Sequence, residues 1–190
     1  IMHIKRWNKR RLALVLSAVF LCYMIFSSGY YEFQIDTVIK DTKPEYVWDF
    51  VADFSKMKLL NPTILDFKIT SDTGSYDHWK YSVQYNERLS HWPYWKNSAI
   101  ADFSVRKLPS EQGGSFVVES KHKTCFFLGL YCLNSEGLFK ISALGNSDTY
   151  CLENARFQCP PFLGKFCQRE VEFQRRTIIR NLTLQFNKKT

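Results

Sequence analysis

The chain has 190 residues, 45% of them hydrophobic and 16% aromatic, and so much apolar surface excludes a disordered polypeptide. Its net charge of +8 suggests a nucleic-acid partner, but five of the 26 basic residues (Lys5, Arg6, Lys9, Arg10 and Arg11) crowd the N-terminus, and from Glu32 onward 21 basic residues face 18 acidic ones. With no Lys/Arg run in that part, the electrostatic footprint of nucleic-acid binding is missing.

Leu12 to Tyr31 carries no charge, and about 20 residues at 1.5 Å rise suffice to cross a ~30 Å hydrocarbon core. Basic residues precede this stretch while Glu32 and Asp36 follow it, so a signal-anchor over residues 1–31 would leave the N-terminus cytoplasmic and deliver residues 32–190 to the lumen or the outside. Trp7, Tyr30 and Tyr31 suit the two membrane interfaces. A cleavable signal peptide is the alternative, because the strictly apolar part is short and Ser27-Ser28-Gly29 supplies small residues for cleavage. A mitochondrial leader fits less well, since the stretch is apolar all round rather than amphipathic.

Residues 33–42 read as a strand. Lys43-Pro44-Glu45 then opens a helix in which Val47, Phe50, Val51 and Phe54 recur at helical spacing. A second helical turn over residues 55–60 ends before Asn61-Pro62. From there the period becomes two. Leu65-Phe67-Ile69 alternates with polar neighbours, and the pattern returns at Trp79-Tyr81-Val83-Tyr85, Ala101-Phe103-Val105, Phe116-Val118-Ser120-His122, Phe139-Ile141-Ala143 and Cys151-Glu153-Ala155-Phe157. Turn signals such as Asp72-Thr73-Gly74, Gly113-Gly114 and Gly145-Asn146-Ser147 separate these runs, so a meandering antiparallel sheet is predicted. After Pro160-Pro161 the spacing is helical again, with Leu163, Cys167, Val171, Ile178 and Leu182 on one face and Arg169, Arg175, Arg176 and Arg180 on the other.

Five cysteines fall in the domain, so one should stay free. A two-residue turn at Leu128-Gly129 would set Cys125 and Cys132 opposite each other on a hairpin, within disulfide reach. Cys159 and Cys167 bracket a loop and could tie it to the last helix. Buried free thiols are the alternative for all of them. Asn181-Leu182-Thr183 is a glycosylation sequon, in keeping with a lumenal domain.

One strand, two short helices, six strands and a long C-terminal helix is an α+β order similar to that of the START-like, or SRPBCC, superfamily, which includes polyketide cyclase and coenzyme Q-binding groups. The segment from Pro44 to Phe54 (PEYVWDFVADF), followed by Asn61-Pro62, resembles the first helix of that family and the turn into its second strand. The resemblance implies a helix-grip fold, a curved sheet wrapped around the C-terminal helix with a cavity between them. It fixes the location of a site and no residue motif.

The faces assigned inward supply the candidate lining. Trp79, Tyr81, Phe103, Phe116, Phe139 and Phe157 contribute rings, and Phe67, Tyr85, Val118 and Ile141 share their side. His122 and Glu153 fall on the same faces, where a buried polar group needs a partner and can orient a head group or move a proton. The segment His91-Trp92-Pro93-Tyr94-Trp95 places three rings in one connection, either capping the sheet or dipping into a bilayer. No metal-ligand spacing, phosphate loop or hydrolase motif is present, so neither cofactor nor metal is expected. The expected function is binding of a lipid, isoprenoid or other hydrophobic small molecule. A cyclase- or hydrolase-like enzyme in the same cavity and an extracellular interaction domain with a filled core are the alternatives.

Overall fold

The computed structural model describes residues 9–109 and 114–187. Lys5, Arg6 and Trp7 of the leader and Gly113 of one predicted turn lie outside them. Period-two sequence becomes strand wherever one face can be buried: in β3 (His78–Arg88), Tyr81, Val83 and Tyr85 are buried while Lys80, Gln84 and Asn86 are exposed. In β4 (Lys96–Lys107) the buried set is Asn97, Ala99, Ala101, Phe103 and Val105.

Together with β1 (Gly29–Ile39), β2 (Ile64–Ser75), β5 (Phe116–Phe126), β6 (Tyr131–Leu144) and β7 (Asp148–Cys159), these form one seven-stranded antiparallel sheet in the order β1-β7-β6-β5-β4-β3-β2. Strands β2 to β7 form a meander, and β1 closes the far edge by pairing with β7. The excursion from β1 to β2 holds two short helices. α2 (Pro44–Ala52) starts on the proline, and α3 (Phe54–Leu60) is capped by Asp53, which accepts from the Ser55 amide at 2.9 Å. Asn61 Oδ1 accepts from the Thr63 hydroxyl at 2.7 Å and so turns the chain into β2.

The last helix, α4 (Gly164–Asn187), lies against β1 and α3 and buries Ile178, Ile179 and Leu182 in the core. At the other end Trp48 of α2 is fully buried, its ring 5.3 Å from Trp79 and 4.9 Å from Phe116, in contacts worth on the order of 1 kcal/mol each beyond burial.

Several sequence expectations change. Asp72-Thr73-Gly74, expected as a turn, lies inside β2 paired with Tyr81, Lys80 and Trp79, and the chain reverses only after Ser75. The apolar helix α1 (Lys9–Phe26) ends before Gly29, Tyr30 and Tyr31, which are the first residues of β1 and pair with Cys159, Gln158 and Phe157. Alternation with a partner strand wins there over continued hydrophobicity. Among the described residues no helix is long and apolar enough to cross a membrane, since residues 12–26 reach only about 22 Å at 1.5 Å per residue. In addition, α4 begins at Gly164, which leaves Leu163 in a preceding single turn (Pro161–Leu163), and Arg175 faces the sheet rather than solvent.

Both predicted disulfides are formed. Cys125 and Cys132 sit opposite each other in the β5–β6 register with Cα atoms 4.1 Å apart, and Cys159–Cys167 ties the end of β7 to the first turn of α4. Cys151 is the free cysteine of the sheet, fully buried, and burial pushes its thiol up to about 12.

Candidate functional site

Across the middle of the sheet, two neighbouring rungs bring small residues together on β5, β6 and β7. One runs Val83, Ala101, His122, Ser135, Phe157, and the next runs Tyr81, Phe103, Ser120, Gly137, Ala155. Gly137 has no room for a side chain toward β5, since a Cβ there would stand 2.6 Å from Ser120 Oγ. With such small side chains this part of the sheet is hollow under α4, Ser135 and Ala155 lining the main space and Ser120 and Gly137 its inner recess. The result is a cavity of about 790 Å³, continued at its inner end by a recess of about 60 Å³. Tyr85, Glu87, His122, Gln174 and Arg175 line both.

The outer walls are apolar. Leu89, Trp92 and Trp95 come from the β3–β4 connection, Phe126, Phe127 and Leu130 from the β5–β6 tip, and Phe162, Leu163 and Phe166 from the approach to α4. Their rim is open to solvent: Tyr94 is 91% exposed, Leu130 is 86% exposed and Leu128 is fully so. At that tip Phe127 (φ 52°) and Leu128 (φ 58°) both hold a left-handed backbone, which costs a non-glycine residue roughly 1 kcal/mol each. The β5–β6 disulfide locks the base of this strained, apolar point. α1 reaches the same mouth, touching the Pro161–Leu163 turn.

The floor is charged. Arg175 Nη1 donates to Glu153 Oε1 at 2.7 Å, while Glu153 Oε2 and Arg175 Nε are buried with no partner among the described residues. Burial raises the Glu153 carboxyl above its ordinary range, against the pull of Arg175. Glu87 lies deep in the protein but faces the hollow, and burial, only partly offset by Arg175, lifts it to about 7. Glu170 is different. Burial works against its charge, yet the Ser90 amide and hydroxyl, both at 2.7 Å, with His91 and Gln174, hold it below the usual range. The Tyr85 hydroxyl and His122 Nδ1 share a 2.9 Å hydrogen bond, and burial, reinforced by Arg175, lowers His122 to about 3, so its ring is neutral.

Of the residues predicted from sequence, Tyr85, Phe103, Val118, His122, Phe139, Glu153 and Phe157 line this space. Phe67, Trp79, Tyr81, Phe116 and Ile141 do not. They point to the same side, but toward the end where α2 and α3 fill the sheet: Phe54 packs on Phe67, and the Tyr81 hydroxyl donates to Ala52 O at 2.7 Å. Glu87 was missed although it continues the alternation of Tyr81, Val83 and Tyr85. Arg175 left no signal, because an arginine on an amphipathic helix is expected outside. Asn181 is half-buried, its Nδ2 donating to Leu60 O at 2.8 Å.

No family model and no curated protein sequence matches the chain. Solved structures do match in fold. A START superfamily protein from Mycobacterium smegmatis aligns with a TM-score of 0.56 at 16% identity, over 85% of this chain and 100% of that one. The human StarD13 (DLC2) lipid transfer and protein localization domain aligns at 0.58 and 13% identity, over 94% and 98%. Norcoclaurine synthase from Thalictrum flavum, in complex with dopamine and hydroxybenzaldehyde, aligns at 0.56 and 9% identity, over 86% and 90%. At such identities the likeness establishes a START-like fold and leaves the activity to the site itself.

Proposed function

We propose that this protein is a carrier or sensor for a hydrophobic small molecule or lipid, held at a membrane by its N-terminal leader with the domain in the secretory pathway. The observation that carries the reading is the 790 Å³ cavity between sheet and α4, whose apolar walls and small polar floor have the size and chemistry of a ligand pocket. A core filled by side chains would leave no such hollow, so the interaction-domain alternative loses its basis. The lipid-transfer name of one fold neighbour and the small aromatic ligands of another point the same way. For the membrane part, the support is α1 with its exposed Leu14, Leu16 and Leu21, the adjacent exposed rim, and the basic Lys9, Arg10 and Arg11 at the far end of that helix. Both disulfides suit an oxidising compartment.

The test is native mass spectrometry of the full chain, purified in an amphipathic polymer from the cells that make it. An apolar molecule should be retained. A chain that carries nothing and takes up no lipid from vesicles defeats the reading.

Glu87 favours a second reading, a proton-transferring enzyme in the same pocket. A carboxyl titrating near 7 is matched to acid–base work at neutral pH, whereas His122 near 3 is a poor base. Turnover of a bound molecule that is lost in Glu87→Gln and kept in His122→Gln would select it.

A further inference from the structure

The charges that meet at the inner end of the cavity are unequal. Arg175 is the one permanent cation among the described residues lining the cavity and its recess, and Glu153 already pairs with it at 2.7 Å. Three further acidic residues line the space: Glu136, exposed at its edge and paired with Arg156, and Glu87 and Glu170 deeper in, of which Glu170 has its own donors in Ser90, His91 and Gln174. Glu153 is 4% exposed, and its second oxygen has no donor among the described residues. A buried acceptor in that state is costly, and a ligand that supplies a donor relieves it. Arg175 also keeps one unpartnered nitrogen, Nε, but an entering anion that reaches for it meets the carboxylates of Glu153, Glu87 and Glu170 around a single cation, and at low dielectric their repulsion outweighs that one donor. The walls above are apolar, so a chain or ring system attached to the donor has only one way to lie, with its polar end inward and its apolar body toward the mouth.

On this geometry we infer that the cavity takes an amphiphile head-first, its head an uncharged or cationic hydrogen-bond donor, a hydroxyl or an amine, set against Glu87 and Glu153, and that it excludes carboxylate and phosphate heads. The inference rests on the cavity being a ligand site and adds the chemical class of the ligand. The raised carboxyl of Glu87 agrees with it, since a group poised between its two forms accepts a donor in one and offers its own proton to a hydroxyl in the other.

The experiment offers the full chain, in an amphipathic polymer near neutral pH, an equimolar mixture of dodecanol, dodecylamine, dodecanoate and dodecane, and compares the occupied species by native mass spectrometry. Alcohol and amine should each exceed dodecanoate by about 10-fold, equivalent to ~1.4 kcal/mol. In Glu87→Gln the advantage of amine over carboxylate should shrink several-fold while dodecanol binding is kept. Glu153→Gln is the weaker tool, because it leaves Arg175 buried without its partner and can unfold the domain. Equal or tighter binding of dodecanoate overturns the inference and leaves the cavity a ligand site, and so does dodecane competing evenly with dodecanol. If none of the four binds, the cavity reading itself fails and takes the inference with it.

Discussion

Removing the Arg175 guanidinium would strand Glu153, which is buried, already short of one donor, and balanced in charge by that ion pair. Arg175→Met should therefore destabilise the domain by about 3 kcal/mol, and the double variant with Glu153→Gln should recover more than half of the loss, because the pair as a unit is worth far less than either partner left alone. Thermal unfolding of the wild type and both variants checks this, and a double variant no better than the single one speaks against it. A pH series isolates Glu87. In the unfolded chain its carboxyl titrates near 4.5 and in the fold near 7, so the proton it keeps contributes stability that is full below about 4.5 and lost as pH rises through 7. His122 acts in the opposite sense, its contribution present above about 6.5 and lost as pH falls toward 3, and the two offset each other in the wild type. Comparing Glu87→Gln with wild type cancels the His122 part: the variant should gain on the wild type steadily between pH 4.5 and 7, and a gap that stays constant with pH sinks the assignment. How visible these residues were in sequence follows from geometry. A strand alternates strictly, so Tyr85, His122 and Glu153 could be assigned inward and Glu87 could have been; a helix face depends on the angle at which it docks, and Arg175 could not be read.

At the scale of elements, order and period were legible because strand and helix periods differ and proline marks the breaks. What could not be read was where the sheet is filled and where it is hollow. That depends on which rungs align across strands, and Ser120, Ser135, Gly137 and Ala155 meet only through register. Ser135→Leu would place a branched side chain in the hollow beside its register partner Phe157, and uptake of an apolar ligand should fall at least several-fold with the fold retained; undiminished uptake argues that the ligand sits elsewhere. The β5–β6 hairpin is a second case. Its turn and disulfide follow from the cysteine spacing, but the exposed Phe127, Leu128 and Leu130 are excessive for a solvated loop. In Cys125→Ser/Cys132→Ser the loop-entropy model expects a loss of about 2–3 kcal/mol, and with it a mobile tip. Calorimetry of the pair of serines, with and without reductant, measures that loss; no change with reductant in the wild type excludes a stabilising role for both bridges.

At the scale of the whole molecule, the proposed membrane anchor assigns the domain to one side of a bilayer. If the leader is an anchor, the positive-inside rule predicts a cytoplasmic N-terminus and a translocated domain, and the two disulfides suit an oxidising compartment. Asn181 is a poor reporter. A glycan would have to grow from the nitrogen that bonds to Leu60 O, on a half-buried turn of α4, so an unmodified Asn181 would say nothing about compartment. The β2–β3 end is better placed, exposed from Thr70 to Ser75 and remote from the cavity mouth. Thr73→Asn turns Thr73-Gly74-Ser75 into an Asn-Gly-Ser acceptor there, at the loss of one long hydrogen bond, 3.5 Å, to Lys80 O. Expressed as the full chain in cells, this variant should gain a glycan that a deglycosylating enzyme removes, and the domain should resist protease added to intact membranes. An unmodified Thr73→Asn cut from the cytosolic side reverses the topology. Such a domain would be a cytosol-facing carrier in which the cysteines of both bridges are reduced, and the strained tip at Phe127 and Leu128 would lose the crosslink beneath it.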